Sequence, residues 1–124
     1  MIVLRKGDTL QVELEVYTTN NILMNLTGYQ VKAILKKEII SETALVDLSL
    51  TVSNPGDSVT DVNGNSLKVD KYEDVLSLVQ ITIVPDMFAD YEPGDDFYLG
   101  CKVSPDGINW TTVFISQVFL DKNV

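Results

Sequence analysis

Side chains that act as nucleophiles or transfer protons near neutral pH are scarce in this sequence. It contains no histidine and a single cysteine, Cys101. A serine or cysteine nucleophile usually needs a neighbouring base, most often histidine, and zinc sites are built mainly from cysteine and histidine. The sequence therefore excludes Ser-His and Cys-His catalysis and favours a protein that is not an enzyme.

Carboxylates are the remaining candidates for chemistry, and eighteen are present. Glycoside hydrolysis needs two acids positioned in one cleft, and no spacing in the sequence marks out such a pair. An oxygen-ligand site for a cation is conceivable where acids crowd the turn at Pro93-Gly94. A solvated acidic loop is the preferred interpretation of that cluster, and we predict no catalytic residue, metal or cofactor. The cluster consists of Asp86, Asp90, Glu92, Asp95 and Asp96.

Aromatic residues near the end of the sequence offer a second type of site. Trp110, with Tyr98, Phe114 and Phe119, could stack against sugar rings. Such residues more often fill the core of a β-sandwich, so we expect Trp110 in the core and keep a glycan platform as the alternative.

These aromatic residues belong to a predicted β-hairpin over residues 91–120. Phe97, Leu99, Cys101 and Val103 alternate with other residues at the period of two that indicates a half-buried strand. Asp106-Gly107 then favours a turn, and residues 110–120 run back as a second strand. Cys101 occupies an apolar position of this pattern, so we predict a small buried hydrophobic residue.

Further strands are predicted over residues 9–18, 29–37, 44–52 and 75–84, with a short one near 66–69. Residues 54–74 read as a long polar excursion, with a hairpin-type turn at Asn63-Gly64, and residues 85–91 as a short helical crossing. About seven strands without a long amphipathic helix predict an all-β immunoglobulin-like antiparallel β-sandwich, a single domain over residues 1–124. A small β-barrel is the alternative.

The last predicted strand is apolar at both odd and even positions. Trp110, Phe114 and Val118 fall on one parity, whereas Val113, Ile115 and Phe119 fall on the other. A small sandwich can bury only one of these faces in its core. Either loops or another subunit should cover the second face, which makes this strand an indication of assembly.

Charge is distributed unevenly along the sequence. The net charge is −9, yet residues 1–37 contain five basic and three acidic side chains. A free acidic surface repels the phosphates of nucleic acid, and no cluster of lysine and arginine interleaves with aromatic residues, so no nucleic-acid partner is expected. No apolar run is long enough to span a bilayer and no signal peptide is recognisable, so we expect neither membrane insertion nor secretion. A basic patch could meet an acidic patch on a neighbouring copy.

Two groups of turn motifs resemble a known family. Lys6-Gly7-Asp8-Thr9 and Asn25-Leu26-Thr27-Gly28-Tyr29 open successive strands, and Pro93-Gly94 precedes the closing hairpin. The pattern resembles the small immunoglobulin-like domain at the N-terminus of phage baseplate upper proteins. It is also similar to related domains in tail, neck and head-fibre proteins of tailed phages.

The resemblance implies a non-enzymatic structural protein of a bacteriophage virion. Such a domain is an adaptor or decoration module in the tail, baseplate, neck or capsid, and acts by protein–protein docking. Its expected partners are other phage structural proteins, in multiple copies or as a homo-oligomer, and its expected location is the virion. A carbohydrate-binding module for host-surface glycans remains the alternative.

Overall fold

Two β-sheets packed face to face make up the computed structural model, which describes residues 1–122. One sheet has five strands in the order β1-β9-β8-β3-β4, and the other has four in the order β2-β7-β6-β5. A single 3-10 turn, Pro85–Phe88, connects β7 to β8. The strands are β1 (Ile2–Arg5), β2 (Leu10–Glu15), β3 (Gln30–Lys36), β4 (Val46–Thr51), β5 (Asp57–Thr60), β6 (Ser66–Tyr72), β7 (Val75–Ile83), β8 (Asp96–Ser104) and β9 (Thr111–Asp121).

The strand order confirms the predicted immunoglobulin-like sandwich. β3, β8 and β9 are adjacent in one sheet, as are the C, F and G strands of that fold. β2, β7 and β6 are adjacent in the other, in the arrangement of strands B, E and D. The two sheets enclose the core, to which β3 contributes Val31, Ala33 and Leu35 and β8 contributes Phe97, Leu99, Cys101 and Val103.

Two features of the sequence-based topology were wrong. The described residues form nine strands rather than about seven, because Ile2–Arg5 and Asp57–Thr60 were not predicted. The sheets are also not wholly antiparallel, since β1 runs parallel to β9. Both missed strands have only four residues, too few to display a clear period.

The predicted excursion over residues 54–74 is mostly a hairpin. β5 pairs antiparallel with β6, and the intervening turn contains Asn63-Gly64 as expected. The amide of Asn65 ties this turn to the end of β7. Its Nδ2 donates to Asp61 Oδ2 at 3.0 Å, and its Oδ1 accepts from the Val84 backbone N–H at 2.9 Å.

A β-bulge changes the parity of two strands. In β7, Asp70 of β6 pairs with Leu78 but Lys71 pairs with Leu76, which leaves Ser77 as the extra residue. In β9, Cys101 of β8 pairs with Phe114 but Lys102 pairs with Thr112, which leaves Val113 as the extra residue. A single extra residue moves every later side chain of that strand to the opposite face of the sheet, relative to simple alternation. The apolar residues at both odd and even positions of β7 are therefore explained mainly by this bulge, and not by a strand whose two faces are both covered.

Candidate docking face

The outer face of the five-stranded sheet carries a shallow groove across its three central strands. Gly100 of β8 forms the floor, and its cross-strand neighbours are Ile34 on β3 and Ile115 on β9. Side chains alternate along a strand, and the residues on either side of Ile34 and of Gly100 are buried in the core, so these two positions and the paired, exposed Ile115 face outward. The groove has a volume of about 240 Å³ and is also lined by Tyr98, Lys36 and Lys102. We call this surface the docking face.

Glycine determines the depth of the groove. An added Cβ at Gly100 would meet only the Phe114 carbonyl oxygen, at 3.7 Å, which is an ordinary contact. The backbone therefore does not require glycine at this position. Its absent side chain leaves an opening between Ile34 and Ile115, and Ile115 remains 56% exposed.

Lysines surround this apolar opening. Lys36 and Lys102 line the groove, and Lys32 of β3 lies on the same face, directly opposite Lys102. The two ion pairs among residues 1–122 are Lys37–Asp95 and Lys68–Asp70, so these lysines have no carboxylate partner there. In a protein of net charge −9, the groove therefore combines apolar side chains with lysines that form no ion pair in that range, although the exposed carboxylate Asp47 of β4 lies opposite Ile34 on the same face.

Trp110 lies at the end of the docking face, not in the core as we expected. The Val113 bulge inverts the parity of the residues before it and directs Trp110 outward. The Lys32 ammonium lies 5.2 Å from the Trp110 ring centroid, a cation–π contact. Trp110 is half-buried, and its other neighbours along the chain, Asn109 and Thr111, are polar.

The remaining aromatic candidates divide between the two faces of β9 and β8. Phe114 packs against the core, whereas Phe119 and Tyr98 face outward and are half-buried. The sequence-based prediction that β9 is apolar on both faces is therefore correct for Ile115 and Phe119. Ile39, from the loop after β3, lines the same groove, yet Ile115 stays more than half exposed.

The outer face of the four-stranded sheet has a different character. Its central positions are polar, and Gln80 Nε2 donates to Glu13 Oε1 across the β2–β7 pair at 2.8 Å. Lys68 of β6 is exposed beside Asp70, with which it forms a 3.7 Å ion pair. Polar side chains that pair with one another are typical of a solvated face. The two outer faces are therefore chemically distinct.

The acidic cluster around Pro93-Gly94 does not converge on one point. No group of three or more Asp, Glu or Cys side chains within residues 1–122 is placed to hold a metal ion. Lys37 instead neutralises one member, with its Nζ 3.4 Å from Asp95 Oδ1 and 4.9 Å from the Phe97 ring centroid. The single acid oxygen that is buried without a hydrogen bond in this range is Asp96 Oδ1, whereas calcium takes about six to eight oxygen ligands.

Cys101 is buried in the core, as its position in the strand predicted. Its exposure is 0%, and burial raises the pKa of the thiol to about 12. A thiol in this environment stays protonated at neutral pH and is a poor nucleophile.

The sequence did not predict that the lysines and Gly100 belong to one surface. Lys32 and Lys36 alternate with core residues on β3, and Lys102 does so on β8, but their adjacency depends on strand pairing. Ile39 also lines the groove from the loop after β3. The only signal in the sequence was the apolar outward parity of β9.

Comparison with known proteins adds no relative, because neither a protein-family model nor a curated protein matches this chain. No helix within residues 1–122 has the length and apolar character to cross a membrane. The resemblance to phage baseplate domains therefore stays a prediction.

Proposed function

We propose that this protein is a non-enzymatic docking module that binds other proteins through the outer face of its five-stranded sheet. The observation that carries the proposal is the groove over Gly100, apolar at its centre and bordered by lysines without carboxylate partners among residues 1–122. Protein interfaces combine an apolar centre with a polar rim, and charge complementarity orients the partners.

Within that class, we propose a structural role in a tailed-phage virion. The support is the resemblance of the turn motifs around Gly7, Gly28 and Gly94 to phage baseplate and head-fibre adaptor domains. All three glycines have positive φ angles, of 100°, 84° and 101°, so these turns have the backbone geometry that favours glycine. The position of the module could be tail, baseplate, neck or capsid decoration.

Mass spectrometry of purified phage particles tests the virion role. Particles released from the bacterium that carries the gene would be purified by density gradient, with an abundant host cytosolic protein as a measure of carry-over. We expect this chain to sediment with the major capsid protein at a constant ratio across the particle fractions. Its presence in the lysate but not in the particles would refute the virion role.

A second candidate is binding of host-surface glycans, and the outward position of Trp110 favours it. Sugar rings stack on exposed aromatic faces, and the polar residues Asn109 and Thr111 flank this one. Lys32 covers part of the ring, however, at 5.2 Å from its centroid. That cation reduces the free aromatic surface, so protein docking remains the first proposal.

A glycan array with the intact protein and a Trp110→Ala variant separates the two candidates. Glycan binding predicts a defined set of hits that the substitution abolishes. Phe119→Ala is the matched control, because it removes another outward aromatic residue, from the strand β9 that directly follows Trp110. An array without hits would rule out this second candidate, and hits that survive Trp110→Ala would rule out Trp110 as the glycan platform.

A further inference from the structure

We propose that the partner on the docking face is a second copy of this chain, which inserts the loop residue Ile40 into the groove over Gly100. The inference rests on the proposed docking function and specifies its occupant. A segment beside the groove has a chemistry complementary to that of the groove itself.

That segment is the turn Glu38-Ile39-Ile40-Ser41, which follows β3. The Ser41 backbone N–H donates to the Glu38 carbonyl oxygen at 3.1 Å, so the two isoleucines occupy the central positions of a β-turn. Turn tips are ordinarily polar. Here Ile40 is 87% exposed, whereas Ile39 lines one end of the groove.

Charge complements shape at this turn. Exposed carboxylates flank the isoleucines, with Glu38 on one side and Glu42 on the other. The groove presents the opposite arrangement, an apolar opening between Ile34 and Ile115 bordered by lysines. An isoleucine flanked by acids therefore matches an apolar groove flanked by ammonium groups.

The neighbouring positions of turn and groove favour a closed pair. In a two-fold interface residue i of one copy contacts residue j of the other, and j contacts i in return. A turn beside a groove on one surface meets that condition, since rotation about an axis between them brings each Ile40 over the other copy's Gly100. Both grooves are then filled, so the assembly ends at a dimer.

Sedimentation velocity over a concentration series tests whether this dimer forms. We expect a monomer–dimer equilibrium whose dissociation constant rises with salt, because the Lys and Glu side chains involved are not deeply buried. Ile40→Glu should raise that constant by about tenfold or more. Val62→Glu is the control, because Val62 is also a fully exposed apolar residue at a turn but lies in the other sheet's β5–β6 hairpin.

A second variant blocks the groove from its floor. Gly100→Val places a side chain where Ile40 would enter. An added Cβ at Gly100 meets only the Phe114 carbonyl oxygen, at 3.7 Å, and β-branched residues suit strands, so we expect the strand to accept valine. We expect Gly100→Val to weaken the dimer as much as Ile40→Glu while thermal unfolding stays at or above that of the unaltered protein. A dimer that persists in both variants would overturn the inference, as would a protein that is monomeric at every concentration.

Site-directed cross-linking tests the contact itself. Ile40→Cys and Ile115→Cys proteins, mixed and oxidised with copper phenanthroline, should form the mixed disulfide between copies. The native Cys101 does not compete, because it is fully buried. Cross-linking of Val62→Cys to Ile115→Cys at the same rate would refute the proposed contact.

Charge exchange provides a rescue. Glu38→Lys with Glu42→Lys should weaken the dimer, and so should Lys36→Glu with Lys102→Glu. All four substitutions in one chain restore opposite charges across the interface at unchanged net charge, and dimerisation should return. Failure of this rescue would contradict the proposed pairing of charges.

The dimer and the virion role fail in different ways. A monomeric chain that is still found in purified phage particles overturns only the self-docking, and points to a different structural protein on the docking face. Glycan-array hits that Gly100→Val abolishes would likewise overturn the dimer and assign the groove to sugar. Loss of the chain from particles, with the dimer intact, would refute the virion role alone.

Discussion

At the scale of single residues, Asn65 is a buried polar side chain whose amide nitrogen and oxygen both form hydrogen bonds. Asn65 is 0% exposed, and its amide bonds to Asp61 and to the Val84 backbone N–H. It therefore joins the β5–β6 turn to the end of β7. An unpaired buried polar group costs much more than an average hydrogen bond contributes.

We expect Asn65→Ala to lower the free energy of unfolding by about 2–3 kcal/mol. The substitution leaves the Val84 N–H without its partner and opens a small cavity. Asn63→Ala is the matched control, because Asn63 is exposed in the same turn. Urea unfolding of both variants measures the difference, and equal losses would contradict the role given to Asn65.

Asp106 organises the turn between β8 and β9. Its carboxylate accepts the backbone N–H groups of Asn109 and Ile108, each at 2.8 Å, and also bonds to the side chains of Asn109 and Ser104. These donors, with the Asn109 backbone N–H the strongest influence, hold the pKa of Asp106 well below its ordinary range.

Stability should consequently depend on the charge of Asp106 at acidic pH. A carboxyl with a lowered folded-state pKa contributes stability that is present above the unfolded pKa of about 3.9 and is lost as pH falls toward the folded value. Asp106→Asn should therefore destabilise the protein at pH 7 more than at pH 2. Thermal unfolding at both pH values measures this, with Asp90→Asn, an exposed loop acid, as control. An equal loss at both pH values would contradict the prediction.

At the scale of elements, two bulges determine which side chains face outward. Val113 in β9 directs Trp110 to the docking face, and Ser77 in β7 keeps Leu76 in the core.

Glycines act at the same scale, and the structure separates those that the backbone requires from those that it does not. Gly64 has φ of 93°, whereas Gly100 does not lie in the left-handed region.

Alanine substitutions at these two glycines should act in opposite directions. Gly100→Ala is expected to raise the free energy of unfolding by about 0.5–1 kcal/mol, because it restricts the unfolded chain and fits the strand. Gly64→Ala should lower it by about 1 kcal/mol or more, since its Cβ would lie 3.4 Å from Val84 Cγ1 in a strained conformation. Chemical denaturation of both variants provides the measurement, and destabilisation by Gly100→Ala would show that the groove floor is structurally required.

At the scale of the whole molecule, the sandwich has two unlike outer surfaces around one core. The polar surface of the four-stranded sheet pairs its own side chains, as Gln80 does with Glu13. The docking face leaves Ile115 exposed and its lysines unpaired within residues 1–122. The proposed assembly through the docking face rests on this difference between the two outer surfaces.

Cys101 reports on the integrity of the core as a whole. Because its thiol is fully buried and its pKa is raised to about 12, we expect no reaction with a thiol reagent such as DTNB in the native state. Labelling should proceed only through unfolding, and its rate should rise with urea in parallel with the unfolded fraction. Fast labelling without denaturant would show that β8 opens separately from the rest of the sandwich.

The same thiol contributes to alkaline sensitivity. A raised folded-state pKa gives stability that is present below the unfolded pKa of about 8.5 and is lost as pH rises toward the folded value. The loss arises because the unfolded chain gains a thiolate that the core excludes. Cys101→Ala should therefore show a smaller decline in stability between pH 8 and 11 than the unaltered protein.

The sequence by itself determined the class of fold and much of the strand set. Period-two alternation over Phe97 to Val103 predicted β8 and the burial of Cys101, because alternate side chains of a strand face opposite sides of a sheet. Turn residues such as Asn63-Gly64 and Asp106-Gly107 predicted reversals, since few residues other than glycine adopt positive φ readily. The absence of histidine limited the possible chemistry.

The tertiary structure alone decided what forms a surface. β1 and β9 lie near opposite ends of the sequence but pair with each other, and no local sequence pattern encodes that contact. The Val113 bulge moved Trp110 from its expected core position to the outside, since parity is counted from pairing and not from sequence. Lys36, Lys102 and Ile115 lie on different strands, and only the order of those strands brings them around Gly100.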